Sequence, residues 1–395
     1  MAGPSHHRHQ ASLEDVLDFS SITPTPLLAT ERAGAQRTFY HIVDHFRALE
    51  VNTGPGATPS RYSQALLIRC TYEQAISQVS KDIYLRAFFQ ALSLGLSTPT
   101  TALRLDELAT PFVDFAEYLM NSFFLPMRAS TGQTPQPSPA AHSAVMQAVG
   151  GGVAGQGFVG TTERLAALRG MCLVRDRHRC VITRRFSAVE YSNRYRATGD
   201  NARDDDGVLF SQQTSLRFEQ LEVAHILPHS LMKANDNKEL DKSREAALSI
   251  LNMFDYGVAH IIDGVEIDRP INAMTLSVHL HYTFGRFETF LTPVPNEKNM
   301  YRIESFMPPM LAAQSGIPVT RTLFVTDTHT IDPPSPRLLA VHRAIAQILH
   351  LSGAGGYIDH VLRDMETCLV RADGSSELGL LVGLRLGGWV AGRVY

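Results

Sequence analysis

Two short segments constrain this chain more than anything else in it: LEVAHILP (Leu221 to Pro228) and NAMTLSVHLHYTFGRF (Asn272 to Phe287). The first reads as a strand that ends at His225, with Pro228 forcing the chain out of it. The second reads as a loop at Asn272 that runs back through a return strand into a helix, with Ser277 as its N-cap. A strand, a return strand and a helix would set His225 and His281 face to face across one small module.

Those residue types match the needs of phosphodiester cleavage. A base must activate water, a cation must stabilise charge on the transition state and the leaving oxygen, and the base must be held in one orientation. A histidine ionises near working pH and suits the first task. A histidine with a carboxylate can hold a divalent ion, and a carboxamide can orient the base. His225, His281 and Asn272 supply the imidazoles and the amide.

The rest of the chain sets bounds. Of the 395 residues, 44% are hydrophobic and 19% charged, which is a globular balance with a real core. A formal net charge of -3 gives no overall electrostatic argument for nucleic acid. Cys70, Cys172, Cys180 and Cys368 form no C-x-x-C pair, which speaks against a zinc ribbon and a disulfide-framed secreted domain. The start, MAGPSHHRHQ, has no apolar signal core, and no run of about 20 apolar residues exists. The expectation is an intracellular protein, nuclear or cytoplasmic, without a membrane span.

Periodicity and punctuation divide the chain into consecutive spans. Residues 1–35 read as a flexible lead in which His6, His7 and His9 are solvated. Residues 36–125 carry helical spacing, with Phe39, Ile42, Val43 and Phe46 on one face, and read as a helical region. Residues 126–160 are rich in proline and glycine and read as a linker. Residues 161–300 hold the central module, opening with a helix over TTERLAALRGMCLVRD and a short strand over RCVITRRF. Residues 301–395 read as a C-terminal helical region and tail. There Arg302 to Pro318 is loop-like, TRTLFVTD a strand, a helix ends at Gly353, and another covers Tyr357 to Cys368. From Arg164 to Arg203 ten arginines face three acids. Arg175, Arg177, Arg179, Arg184 and Arg185 are the candidates for phosphate contact, since a guanidinium suits bidentate phosphate recognition. The bland alternative is a solvated face neutralised by Asp204, Asp205 and Asp206.

The run Cys180-Val-Ile-Thr, then Leu-Glu-x-Ala-His-Ile-x-Pro, then Asn-Ala-x-Thr-Leu with His281 nine positions after Asn272, resembles the HNH endonucleases. It is most similar to a fungal branch that carries A-H-I in place of D-H-I, over about Thr161 to Arg371. The resemblance implies an α+β fold: a ββα-metal nuclease core flanked by an N-terminal helical region and C-terminal helices. It implies His225 as general base, Asn272 as the orienting amide and His281 as a metal-binding histidine. The cofactor would be a divalent ion, magnesium first, with manganese or zinc as alternatives. The partner would be nucleic acid, DNA first and RNA as the alternative. The family's metal-ligating acid falls at Ala224, which cannot ligate. Glu222, two residues back on the same strand face, is the first substitute. Asp255 is the second. His279, two residues before His281, competes with it, but about 200° of helix rotation lets only one of them face the site. Two other readings stand beside this one: a catalytically inactive HNH-like module that binds nucleic acid or protein, and a helical interaction protein with an incidental histidine core.

Overall fold

The computed structural model describes residues 22, 24–52, 62–131, 161–213, 217–232, 242–326, 330–367 and 389. His6, His7 and His9, most of the expected linker (132–160), Cys368 and all of the tail but Trp389 lie outside the described residues. The described chain is α+β, with helices and three small sheets. Among the described residues no helix is long and apolar enough to cross a membrane.

The chain divides into two compact units, and both are discontinuous in sequence. The first draws on residues 1–125, 242–257 and 347–370. It contains the helices Ala29–Asn52, Gln64–Glu73, Gln78–Ala91 and Ala109–Leu119. Ser63 and Ser77 start two of them by accepting the Leu66 and Ser80 amides, which satisfies N–H groups that a helix start leaves open. The interior is aromatic: Phe39, Tyr84, Phe88, Phe112 and Phe115 are fully buried and meet edge to face. Gly353, at φ +74°, takes the left-handed conformation that closes the helix Pro336–Leu351.

The second unit draws on residues 126–241, 258–346 and 371–395. At its centre, strand Leu221–His225 pairs antiparallel with strand Ala273–Ser277, Glu222 opposite Leu276 and His225 opposite Ala273. The helix Val278–Gly285 follows at once, its N-cap Ser277 accepting the Leu280 amide. The helix Thr161–Arg175 packs on the other side, where Leu165, Leu168 and Cys172 meet Val223 and Ala273. Alternation along the strand therefore sends Val223 and His225 one way, and Glu222 and Ala224 the other. A three-stranded antiparallel sheet, Thr289–Pro293, Met300–Ser305 and Val319–Thr322, follows.

Three local expectations need correction. RCVITRRF is a turn closed by an Arg179–Phe186 bridge, and strand structure begins only at Phe186. Thr183 caps that turn by accepting the Arg185 amide, so a β-branched run is bent by a local side-chain bond. Arg302 to Pro318 is not a loop: it completes the strand Met300–Ser305 and adds the helix Pro309–Gln314. Residues 126–131 are not linker but helix, Leu125–Thr131, which continues from Ala109–Leu119 through a π-helical turn, Met120–Phe124, just before Pro126.

Candidate metal and nuclease site

Asn272 builds the frame of the site. It is fully buried and follows Pro270 at the end of a single 3-10 turn, just before the return strand. Its Oδ1 accepts the Leu227 amide at 3.0 Å, and its Nδ2 donates to the carbonyls of Leu227 and Ile267, each at 3.0 Å. Its own carbonyl accepts the Ile226 amide at 2.8 Å. The amide thus ties the segment leaving His225 to the turn that carries Asp268. The side chain orients the site through the backbone and touches neither imidazole by these bonds.

Asp268 gathers three partners. Its Oδ1 lies 3.2 Å from His225 Nε2 and 2.7 Å from His229 Nδ1. Its Oδ2 accepts from Arg164 Nε at 3.2 Å. The side chains of His225 and Asp268 are 1% exposed, whereas His229 is 21% exposed and marks the open edge of the group. Burial pushes the His225 imidazole below its ordinary value, against the bond and charge of Asp268. Burial pushes the Asp268 carboxyl up, but hydrogen bonds from His225 and His229 outweigh it and hold the group well below the usual carboxylate range. Burial thus disfavours charge on the imidazole, while its partners favour charge on the carboxylate. His225 Nδ1 is left buried with no hydrogen-bond partner, an arrangement that costs on the order of 1–3 kcal/mol. His225, His229 and Asp268 each offer a ligand atom within 4.8 Å of the others, a group that could hold a metal ion.

On the other face of the strand, His281 Nδ1 meets Glu222 Oε2 at 2.6 Å. The bond from His281 holds Glu222 below the usual carboxylate range, against partial burial and with help from the Arg169 charge. His279 points to solvent.

The residues expected from sequence thus fall into separate groups. His225 and Asn272 sit with Asp268 and His229; Glu222 sits with His281. Asp255 belongs to the first unit. Asp268 and His229 are not among the residues expected from the sequence, although His229 is four residues after His225 and Asp268 four before Asn272.

The arginines are mostly spoken for. Arg175 is fully buried, bidentate to Asp176 at 2.8 and 2.9 Å, and donates to the carbonyls of Pro270, Ala273 and Asp332. It ties the long helix to the return strand and cannot face a phosphate. Arg177 pairs with Asp206, Arg179 with Asp204 and Arg185 with Glu219. Arg184 donates to the Thr322 carbonyl and stacks over Phe324 at 3.9 Å.

No curated protein and no solved structure matches the chain. Residues 180–292, which hold the strand pair, the site helix, both imidazole–carboxylate groups and Asn272, match the family model described as HNH endonuclease.

Proposed function

We propose that the protein is a metal-dependent nuclease that hydrolyses phosphodiester bonds in nucleic acid, DNA first and RNA as the alternative. The observation that carries this reading is the buried His225–His229–Asp268 group inside the segment that matches the HNH endonucleases. The antiparallel pair followed directly by Val278–Gly285 supports a ββα-metal core.

The residues fit the metal that this family implies. Two imidazoles and a carboxylate converge. His225, His229 and Asp268 would hold the ion, which supplies positive charge to the transition state and makes bound water more acidic. In the hydrolysis a water oxygen bonds to phosphorus, the bond to the leaving oxygen breaks, and solvent reprotonates that oxygen. The water's proton goes to an imidazole. A nitrogen bound to a cation cannot take that proton, so the two tasks fall to different groups. His225 could serve as base through Nδ1 while Asp268 holds Nε2, with His281 and Glu222 toward the ion. The other division places the ion on His225, His229 and Asp268 and leaves His281, steadied by Glu222, for the proton. Three donors against two favour the second. Asn272 positions His225 and Asp268 in either case.

The test is cutting of supercoiled DNA and of RNA by the full chain with magnesium, manganese or zinc, and with chelator. Metal-dependent cutting that falls about a thousandfold or more in His225→Ala is expected, since loss of a general base or a metal ligand alike removes a major part of catalysis. Binding without cutting, or cutting indifferent to His225→Ala, would sink the proposal and favour a non-enzymatic module.

A further inference from the structure

Away from the histidine groups, the second unit has a pocket lined by aromatic rings. We propose that it binds a quaternary ammonium group, the head common to choline and trimethyllysine. This goes beyond the nuclease reading and does not rest on it. The pocket has a volume of about 130 Å³. Tyr191, Tyr195, Phe210 and Phe218 form its walls, and Asp200, Ser211 and Gln213 supply its polar part. Among the described residues that line it, none is a lysine, an arginine or a histidine.

The local sequence places the walls. Ser187 caps the helix Ala188–Thr198 by accepting the Glu190 amide, and Tyr191 and Tyr195, four residues apart, share one face of that helix. Gly199, at φ +56°, ends the helix and turns the chain directly into Asp200. Phe210 stands on the 3-10 turn Phe210–Gln212, and Phe218 on the short strand that pairs with Phe186–Ser187. The rings meet at several angles: Tyr191 and Phe210 at 88°, Phe210 and Phe218 at 60°. Tyr191 and Phe218 are stacked, with centroids 4.3 Å apart, so no third ring fits between them. A flat base calls for an open parallel face, whereas a rounded cation suits rings set at angles around it.

The charge pattern agrees. The face of an aromatic ring is negative and attracts a cation within about 6 Å of its centre. Asp200 adds a carboxylate, with the Tyr195 hydroxyl 3.4 Å from its Oδ1. Gln213 spends Nε2 on Asp204 at 2.8 Å and on the Val208 carbonyl at 3.4 Å, and so has an acceptor to offer. Arg194, on the same helix, is held by Glu190 and Asp205. An anion finds no charged donor in these walls. A quaternary ammonium has no N–H to satisfy and needs only the rings and the negative charge. The size fits too, since a cavity of roughly 150 Å³ takes a benzene ring, which has much the bulk of a trimethylammonium head. Tyr195 and Phe218 are 47% and 39% exposed, which leaves the pocket an open edge.

The experiment is calorimetric titration of the full chain, in chelator, with tetramethylammonium, choline and trimethyllysine chlorides. One saturable site is expected for all three, and the tighter of choline and trimethyllysine identifies the source of the head. The neutral isostere of choline, with a tert-butyl group in place of trimethylammonium, is expected to bind at least about tenfold more weakly, because it keeps the methyl groups and loses the charge. Tyr195→Leu and Phe218→Leu keep an apolar side chain and lose the ring face, and each should weaken binding about three- to thirtyfold. Asp200→Asn should weaken it in the same direction. All three side chains are exposed, so the variants leave the core intact. No saturable site, equal binding of the neutral isostere, or unchanged binding in both leucine variants would overturn the proposal. Binding of cytidine or thymidine in place of the ammonium probes would overturn it as well and would make the pocket a base site.

Discussion

His225 Nε2 lies 3.2 Å from Asp268 Oδ1, across 43 residues of sequence, and both side chains are almost wholly buried. The two residues are not equivalent partners. Asp268 also serves His229 and Arg164, whereas His225 leaves Nδ1 unanswered. In chelator, Asp268→Ala should therefore destabilise the fold more than His225→Ala. The first strands three donors and costs about 3 kcal/mol or more, because removing one member of a buried charged group leaves the others uncompensated. The second keeps two of the three bonds to Asp268 and removes an unsatisfied atom. Urea unfolding of both variants checks the order, and the reverse order would show that ring packing outweighs the carboxylate.

Asn272 makes a sharper case. Its side chain spends one acceptor and two donors on three backbone groups. Asn272→Ala should cost roughly 3 kcal/mol, from three lost bonds at about 1 kcal/mol each. Asn272→Asp, although nearly the same shape, should cost more. It would press a buried carboxylate against the carbonyls of Leu227 and Ile267, which need donors. Thermal melts at neutral pH decide between them; an aspartate variant as stable as the alanine one would mean that the loop can turn those carbonyls away.

How much of this was legible in the sequence follows from how local each signal is. The strand, return strand and helix were legible because Pro228 and Ser277 punctuate them and because the offsets from Asn272 to Leu276 and His281 are short. Glu222 was found from strand alternation alone. Asp268 was not, since it is one of several acids between Asp255 and Asn272, and only the return of the chain selects which of them meets His225. The arginines show the same limit. A count from Arg164 to Arg203 registers their charge, but Asp204, Asp205 and Asp206 lie beyond that window and, with Asp176 and Glu219, take up most of it. The two discontinuous units are likewise invisible to any division of the chain into consecutive spans.

That pairing separates the arginines by experiment. Arg175 is buried and bonded to five acceptors, so Arg175→Met should cost about 3 kcal/mol or more by leaving Asp176 uncompensated. Arg177 and Arg185 are about a third exposed in their side chains. Their alanine variants should change stability by no more than about 0.5 kcal/mol. If they reach phosphate on binding, each should lower the salt dependence of nucleic-acid affinity by about one charge. Filter binding at several salt concentrations measures this, and an unchanged slope in both variants would move the phosphate contact elsewhere.

His342 gives a prediction about pH. Its ring stacks on Phe284, with centroids 3.9 Å apart and planes at 6°, and its Nε2 donates to the Phe284 carbonyl at 3.0 Å. Nδ1 is buried without a hydrogen-bond partner. Burial pushes the imidazole down to about 3, against some help from that carbonyl. An unfolded histidine titrates near 6.5, an ordinary value for the free side chain. Between the two values the unfolded chain binds a proton that the folded chain refuses. Stability is thus complete above about pH 6.5 and falls toward pH 3, by up to about 1.4 kcal/mol for each pH unit. His225, also lowered by burial, contributes in the same direction. His342→Phe keeps an aromatic stack and removes the titration. It should cost about 1 kcal/mol at pH 7.5, for the lost hydrogen bond, and should be more stable than the natural chain by pH 4.5. Urea unfolding across that range shows whether the curves cross; parallel curves would place the acid sensitivity in other groups, His225 first among them.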